Sequence, residues 1–206
     1  MNERFYLMPK EKQNKILNAA FKVFAQNDYK KAPMSEIAAE GDISKALLFY
    51  YFNNKLELYM YLWEKTMKLT EISVKKHKVL ETDDFFVMLE RGIAAKCSLM
   101  RQFPFLYLFS MNAYYEKCPE VKENVQKSFG FINQRSLETV LKMINPSNIR
   151  EGFTVEEIYQ EVLFASDGFL LQIYRSGKLD IDKMENDYCK LIMLWKKAYS
   201  RIGAYV

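Results

Sequence analysis

The side chains with the clearest chemistry lie between Ser44 and Lys55, in the run SKALLFYYFNNK. Lys45 carries donors that suit guanine acceptors or a phosphate, and Ala46 and Leu47 are apolar groups of the kind that meet thymine methyls. The Ser44 hydroxyl can cap the backbone donors of a helix starting at Lys45. If Ile43, Leu48 and Phe52 anchor that helix to its neighbours, then Lys45, Ala46, Leu47, Phe49 and Tyr50 point outward, where a major groove could receive them. The plainer alternative is that these aromatics are ordinary core.

The preceding residues supply what must hold such a helix. Met34, Ile37 and Ala38 recur at helical spacing and give a first short helix one apolar face. Gly41-Asp42 breaks the period with residues that tolerate a left-handed backbone. Two helices this short cannot persist alone, because nucleation is costly and each buries little. They form a helix-turn-helix, and its scaffold is the helix predicted over Lys10 to Gln26, with a stripe of Ile16, Leu17, Ala20, Phe21 and Phe24. Downstream, helices are expected from Lys55 to Val79, from Thr82-Asp83-Asp84 to Gln102, from Phe105 to Glu116 and from Pro119 to Ile144. Thr154 and Glu157 make a capping box opening a helix to Ser176-Gly177, and a last helix covers Asp180 to Ile202. The reading is all-α, about nine helices, with no strand and no repeat.

The composition narrows the function class. At 206 residues, half of them hydrophobic and 15% aromatic, the chain can bury a substantial core. Its formal net charge is +4, and residues 1–55 hold nine Lys/Arg against six Asp/Glu, so most of the excess lies around the motif. Three widely spaced cysteines, Cys97, Cys118 and Cys189, suit a reducing cytoplasm better than a disulfide framework or a zinc site. No apolar leader precedes the first basic helix, and no stretch is long enough to span a bilayer. The single histidine, His77, sits among lysines, which excludes histidine-rich metal sites and makes a catalytic triad improbable. The seven glycines show no nucleotide-binding spacing. No catalytic residue, metal site or cofactor is expected.

From Ile16 to about Tyr59 the chain resembles TetR-type (tetracycline-repressor-like) bacterial transcriptional regulators. The residues that carry the likeness are Ile16-Leu17, Ala19-Ala20, Val23-Phe24, Tyr29, Ile37-Ala38, Ile43-Ser44-Lys45, Leu48, Tyr51-Phe52, Lys55 and Leu58. The sequence departs from the pattern at Asp28 and Asp42, where the family usually has Gly, at Gly41, where it usually has Ala, at Pro33, which replaces a Ser/Thr cap, and at Phe49, which replaces a Tyr.

The resemblance implies a helix-turn-helix domain over 1–54 and an effector-binding and dimerisation domain over 55–206. It implies that Tyr50, Tyr51 and Lys55 contact phosphates. It places a small apolar or aromatic effector among Trp63, Phe103, Phe105, Tyr107, Phe109, Met111, Asn112, Phe129 and Asn133. It makes the last two helices a dimerisation pair, with Ile158, Val162, Ala165, Ser166, Phe169, Leu191, Trp195 and Tyr199 at the interface. The implied function is a cytoplasmic, homodimeric repressor on a palindromic operator, not an enzyme. A ligand-binding or scaffolding protein that keeps the fold without specific DNA recognition is the alternative.

Overall fold

A computed structural model describes residues 3–201, apart from the side chains of residues 129 and 131–133. Those residues form ten α-helices: α1 Arg4–Leu7, α2 Lys10–Gln26, α3 Met34–Glu40, α4 Lys45–Tyr51, α5 Lys55–Lys76, α6 Phe85–Gln102, α7 Leu106–Tyr115, α8 Pro119–Met143, α9 Val155–Arg175 and α10 Ile181–Tyr199. A 3-10 turn covers Pro146–Asn148, and one antiparallel bridge joins Ile149 to Ser200. The nine helices read from the sequence are present. The tenth, α1, is too short to leave a periodic signal.

The chain forms two compact units, Met1–Leu69 with Leu99–Phe129, and Thr70–Ser98 with Gly130–Val206. In the first, the stripe of α2 is the centre of an apolar core. Phe21 meets Phe103 and Phe109 edge-on at 5.8 and 5.4 Å, and Phe24 meets Tyr59 at 5.0 Å. Polar ties fix the same elements. Asn112 Nδ2 donates to the Ala25 carbonyl at 2.6 Å, Asn18 Nδ2 to the Gln102 carbonyl at 3.0 Å, and the Tyr29 amide to Glu116 Oε2 at 2.7 Å. The α2 scaffold of the motif is thereby gripped along its length by α7 and the segments flanking it.

The motif turn is a Schellman closure. The Asp42 amide bonds the Ala39 carbonyl at 3.1 Å and the Ile43 amide bonds the Ala38 carbonyl at 3.0 Å. The left-handed residue is Asp42, with φ 57°, while Gly41 stays right-handed. A Cβ on Gly41 would lie 2.9 Å from the Ile37 carbonyl oxygen and 3.4 Å from Ile16 Cα, so close approach rather than a positive φ is what the glycine serves. The same closure ends α5 at Lys76, three residues before the expected Val79, with Lys78 left-handed at φ 53°.

In the second unit the Thr154 capping box forms as read. Thr154 Oγ1 accepts from the Glu157 amide at 3.2 Å, and Glu157 Oε2 accepts from the Thr154 amide at 2.9 Å. The Thr154 hydroxyl, which also donates to Glu157 Oε2 at 2.8 Å, and then the Thr154 amide hold the Glu157 carboxyl below its ordinary pKa. Asp180 caps α10 through the Lys183 amide at 2.9 Å.

Because the turn places a non-glycine residue in left-handed backbone, Asp42→Gly should leave stability unchanged or raise it. The β-branched Asp42→Val should lower it by about 1–2 kcal/mol. Urea denaturation of the two variants checks the order. The exposed Lys15–Asp42 ion pair (3.1 Å), which both variants lose, contributes little and equally.

Candidate functional site

Seven residues of α4 present two opposite faces. On the inner one Leu48 and Phe52 are fully buried, and Phe5 of α1 closes over them, its ring 5.0 Å from Phe52 and 5.7 Å from Tyr51. On the outer one Ser44, Lys45, Ala46 and Tyr50 are exposed, with Leu47 and Phe49 half-buried at the margins. The helix start is set by Ser44, whose Oγ accepts from the Leu47 amide at 3.0 Å, as its position suggested. Two cations lie over the aromatics of the outer face: Lys45 Nζ is 5.9 Å from the Phe49 centroid, and Arg4 Cζ is 5.8 Å from that of Tyr50. Nearby acids are matched by lysines, Asp28 by Lys31 at 3.2 Å, Glu40 by Lys22 at 2.7 Å and Asp42 by Lys15. These three acids therefore do not oppose an incoming anion with full charge.

Two expected phosphate contacts are placed otherwise. Tyr51 is buried, its ring used against Phe5. Lys55 donates from Nζ to the carbonyls of Tyr29 and Lys30, both at 3.0 Å, and lies over the Tyr29 ring at 5.5 Å. Burial lowers its pKa, with Glu120 opposing part of the effect. Its ammonium ties the start of α5 to the loop before α3, which a pattern of residue types cannot reveal because the acceptors are backbone carbonyls. The same loop holds the Tyr29 hydroxyl, whose pKa is raised by burial and next by Glu120.

Residues 16–62 match the profile of bacterial regulatory proteins of the tetR family. Over that segment the chain is similar to that family. It is 40% identical over 60 residues to the transcriptional activator FasR of Mycolicibacterium smegmatis, a match covering 29% of this chain and 27% of that protein. The chain thus aligns with about a quarter of that relative's length. In fold it is similar to a TetR family transcriptional regulator from Chloroflexus aurantiacus, with TM-score 0.63 and 19% identity over 97% of this chain and 98% of the other. It is also similar to CprB of Streptomyces coelicolor, solved with its operator sequence, with TM-score 0.68 and 16% identity over 94% and 91%.

The other sites that the tetR-family resemblance implied are redistributed. Trp63, Phe103 and Phe109 are buried, with at most 2% of their surface accessible. Phe103 and Phe109 pack on Phe21, and Trp63 Nε1 donates to Ser128 Oγ at 2.8 Å. Asn112 is engaged with Ala25. Phe105 lines an open cleft of about 390 Å³ with Lys15, Asn18, Lys22 and Arg101, while Tyr107 and Met111 are half-buried. Phe129 and Asn133 lie outside the described side chains.

Of the expected interface stripe, Ile158, Val162 and Trp195 are buried within the second unit. Tyr188 fills the space between α9 and α10: its hydroxyl meets Ser166 Oγ at 2.5 Å, and its ring meets Phe169 at 5.4 Å and Trp195 at 5.8 Å. Tyr199 donates to Glu161 at 2.5 Å, and Ala165 and Leu191 keep partial exposure. The stripe packs one helix on the other within a single chain. On α9 and α10 the large apolar groups left in solvent are Leu163, Phe164 (75% exposed), Met193 (61%) and Leu194 (60%). The sequence reading missed these four, although α9 being apolar on two faces was a visible sign.

With its ammonium engaged by two carbonyls, Lys55→Ala should cost roughly 1–2 kcal/mol of stability. It should leave the slope of log K against log salt for duplex binding at the wild-type value. Denaturation and anisotropy titrations on one preparation measure both.

Proposed function

We propose that this protein is a homodimeric, DNA-binding transcriptional regulator acting as a repressor, with residues 1–54 engaging the duplex and residues 55–206 taking the effector and the second protomer. The observation that carries the reading is the outer face of α4: exposed Lys45, Ala46 and Tyr50, with Leu47 and Phe49 alongside, on a helix whose other face is locked into the core. A helix of this size with polar, apolar and aromatic groups on one open face suits major-groove docking. Lys45 reaches a guanine or a phosphate, Ala46 and Leu47 meet thymine methyls, and Tyr50 fixes the register on a phosphate.

Pairing is supported by Phe164 and Leu163 on α9 and Met193 and Leu194 on α10, large apolar groups that a monomer would leave in water. Two motifs held about one helical turn apart would read a palindromic operator. A small apolar or aromatic effector would act by binding one conformation better than the other, since equal affinity for both shifts nothing. The absence, among the described residues, of a helix long and apolar enough to cross a membrane is compatible with the cytoplasmic site such a role requires.

Ala46→Glu tests the reading, because it sets a carboxylate on the exposed face without touching the core. Against DNA from upstream of its own coding sequence, the variant should bind at least tenfold more weakly in a gel-shift titration, with an unchanged melting temperature. Wild-type binding that is non-specific and erased by salt would instead favour a fold that has lost DNA recognition. For the pairing, Phe164→Glu combined with Leu194→Glu should give a folded monomer in sedimentation. Trp195→Glu should unfold the second unit instead, because it places a charge in a packed interior.

A further inference from the structure

We propose that Glu116 is a positioning residue for duplex recognition: its carboxylate reaches from the α7–α8 corner to the loop before α3 and so sets where the helix-turn-helix holds α4. This rests on the DNA-binding reading above and deepens it. Glu116 closes α7, and its two oxygens accept three backbone amides. Oε1 takes those of Lys117 at 2.8 Å and Cys118 at 2.9 Å, in its own corner. Oε2 takes that of Tyr29 at 2.7 Å, 87 residues away in the chain. Hydrogen bonds to an ionised carboxylate are shorter and stronger than neutral ones. Lys55 holds the same loop from its other side, through the Tyr29 and Lys30 carbonyls at 3.0 Å. Tyr29 is thus gripped at both its N–H and its C=O, and its buried ring stacks on Phe24 at 6.4 Å and meets Tyr59 edge-on at 5.1 Å.

From Tyr29 the chain leads directly into α3. Pro33, the residue before that helix, supplies no side-chain cap. The start of α3 depends instead on a hydrogen-bonded backbone. The Lys31 and Ala32 amides both bond the Asp28 carbonyl at 3.0 Å, and the Pro33 carbonyl accepts from the Glu36 and Ile37 amides at 3.0 and 3.3 Å. A displacement at Tyr29 therefore passes to the first turn of α3 and, across the Schellman turn, to α4. Two rival roles remain for Glu116. One is stability alone. The other is charge alone, and it predicts the opposite sign: removing a carboxylate from a protein that binds a polyanion should strengthen binding.

The experiment is a pair of fluorescence-anisotropy titrations of the full chain, run well below the melting temperature of each variant. One labelled duplex is that enriched from a random pool by the wild-type protein, and the other is the same sequence shuffled. Glu116→Gln keeps the size but turns an amide donor toward backbone amides that need an acceptor. It should bind the selected duplex about tenfold more weakly, the effect of one lost charge-assisted hydrogen bond, and the shuffled duplex as well as the wild type or better. Glu116→Asp keeps the charge but is one methylene too short to serve both loops, and it should lose the same preference. Thr154→Ala, which removes a cap in the second unit, controls for lowered stability and should bind both duplexes as the wild type does. Wild-type affinity of Glu116→Gln for the selected duplex overturns the assignment while leaving the DNA-binding reading intact. So does full recovery in Glu116→Asp, which would reduce the role to charge, and so does an equal loss on both duplexes. If the wild-type chain enriches no duplex, the reading beneath the proposal fails, and the proposal with it.

Discussion

Burial of Leu48 and Phe52 on the inner side of α4 is the constraint from which the rest of the candidate site follows. Seven residues are far too few to hold a helix in water, and α4 has no partner of its own length other than α3. What keeps it helical is the core behind it. Complete burial of such side chains is worth about 2–3 kcal/mol each, and the Ser44 cap adds about 1 kcal/mol. Anchored this way, the helix cannot rotate about its axis without exposing Phe52, so the orientation of Lys45, Ala46 and Tyr50 is set by packing rather than by anything those residues do. α2 transmits the same constraint, because Ile16, Leu17 and Phe24 contribute to the core on which α3, α4 and α5 rest, while Phe21 meets α7.

The electrostatics around this face are arranged by proximity more than by net charge. A total of +4 on 206 residues would hardly single out a nucleic-acid partner. Three acids beside the motif are each held by a lysine within 3.2 Å, and two cations lie over aromatics of α4, the exposed Tyr50 and the half-buried Phe49. Lys55, in contrast, lies beside the motif yet turns inward to the Tyr29 and Lys30 carbonyls. A lysine beside a helix-turn-helix is therefore not by itself a solvent-facing cation.

Periodicity and caps were legible from the sequence. The stripe of α2, the Ser44 cap and the Thr154–Glu157 box each depend on residues close together in the chain, and each is present in the fold. Long-range partners were not. A 3.6-residue stripe states that a face is covered without stating what covers it, so Phe103 and Phe109 read as pocket lining when they are core beneath α2. Trp195 read as an interface when it packs beside Tyr188 of the same helix. Tyr51 and Lys55 matched a family pattern, but in this fold Phe5 covers the Tyr51 ring and Lys55 donates to two backbone carbonyls. α1 escaped notice for the complementary reason: it has four residues and no period, and its position is fixed by Phe5 and Gln13 contacts that only three dimensions reveal.

The most direct test of whether the open face of α4 reads DNA is selection of duplexes from a random pool by the purified full chain, followed by sequencing of the bound fraction. Enrichment of one inverted repeat, with half-sites about one helical turn apart, is the result expected if two copies present this face together. A pool that stays random after repeated rounds, at salt low enough to retain duplex, would contradict it.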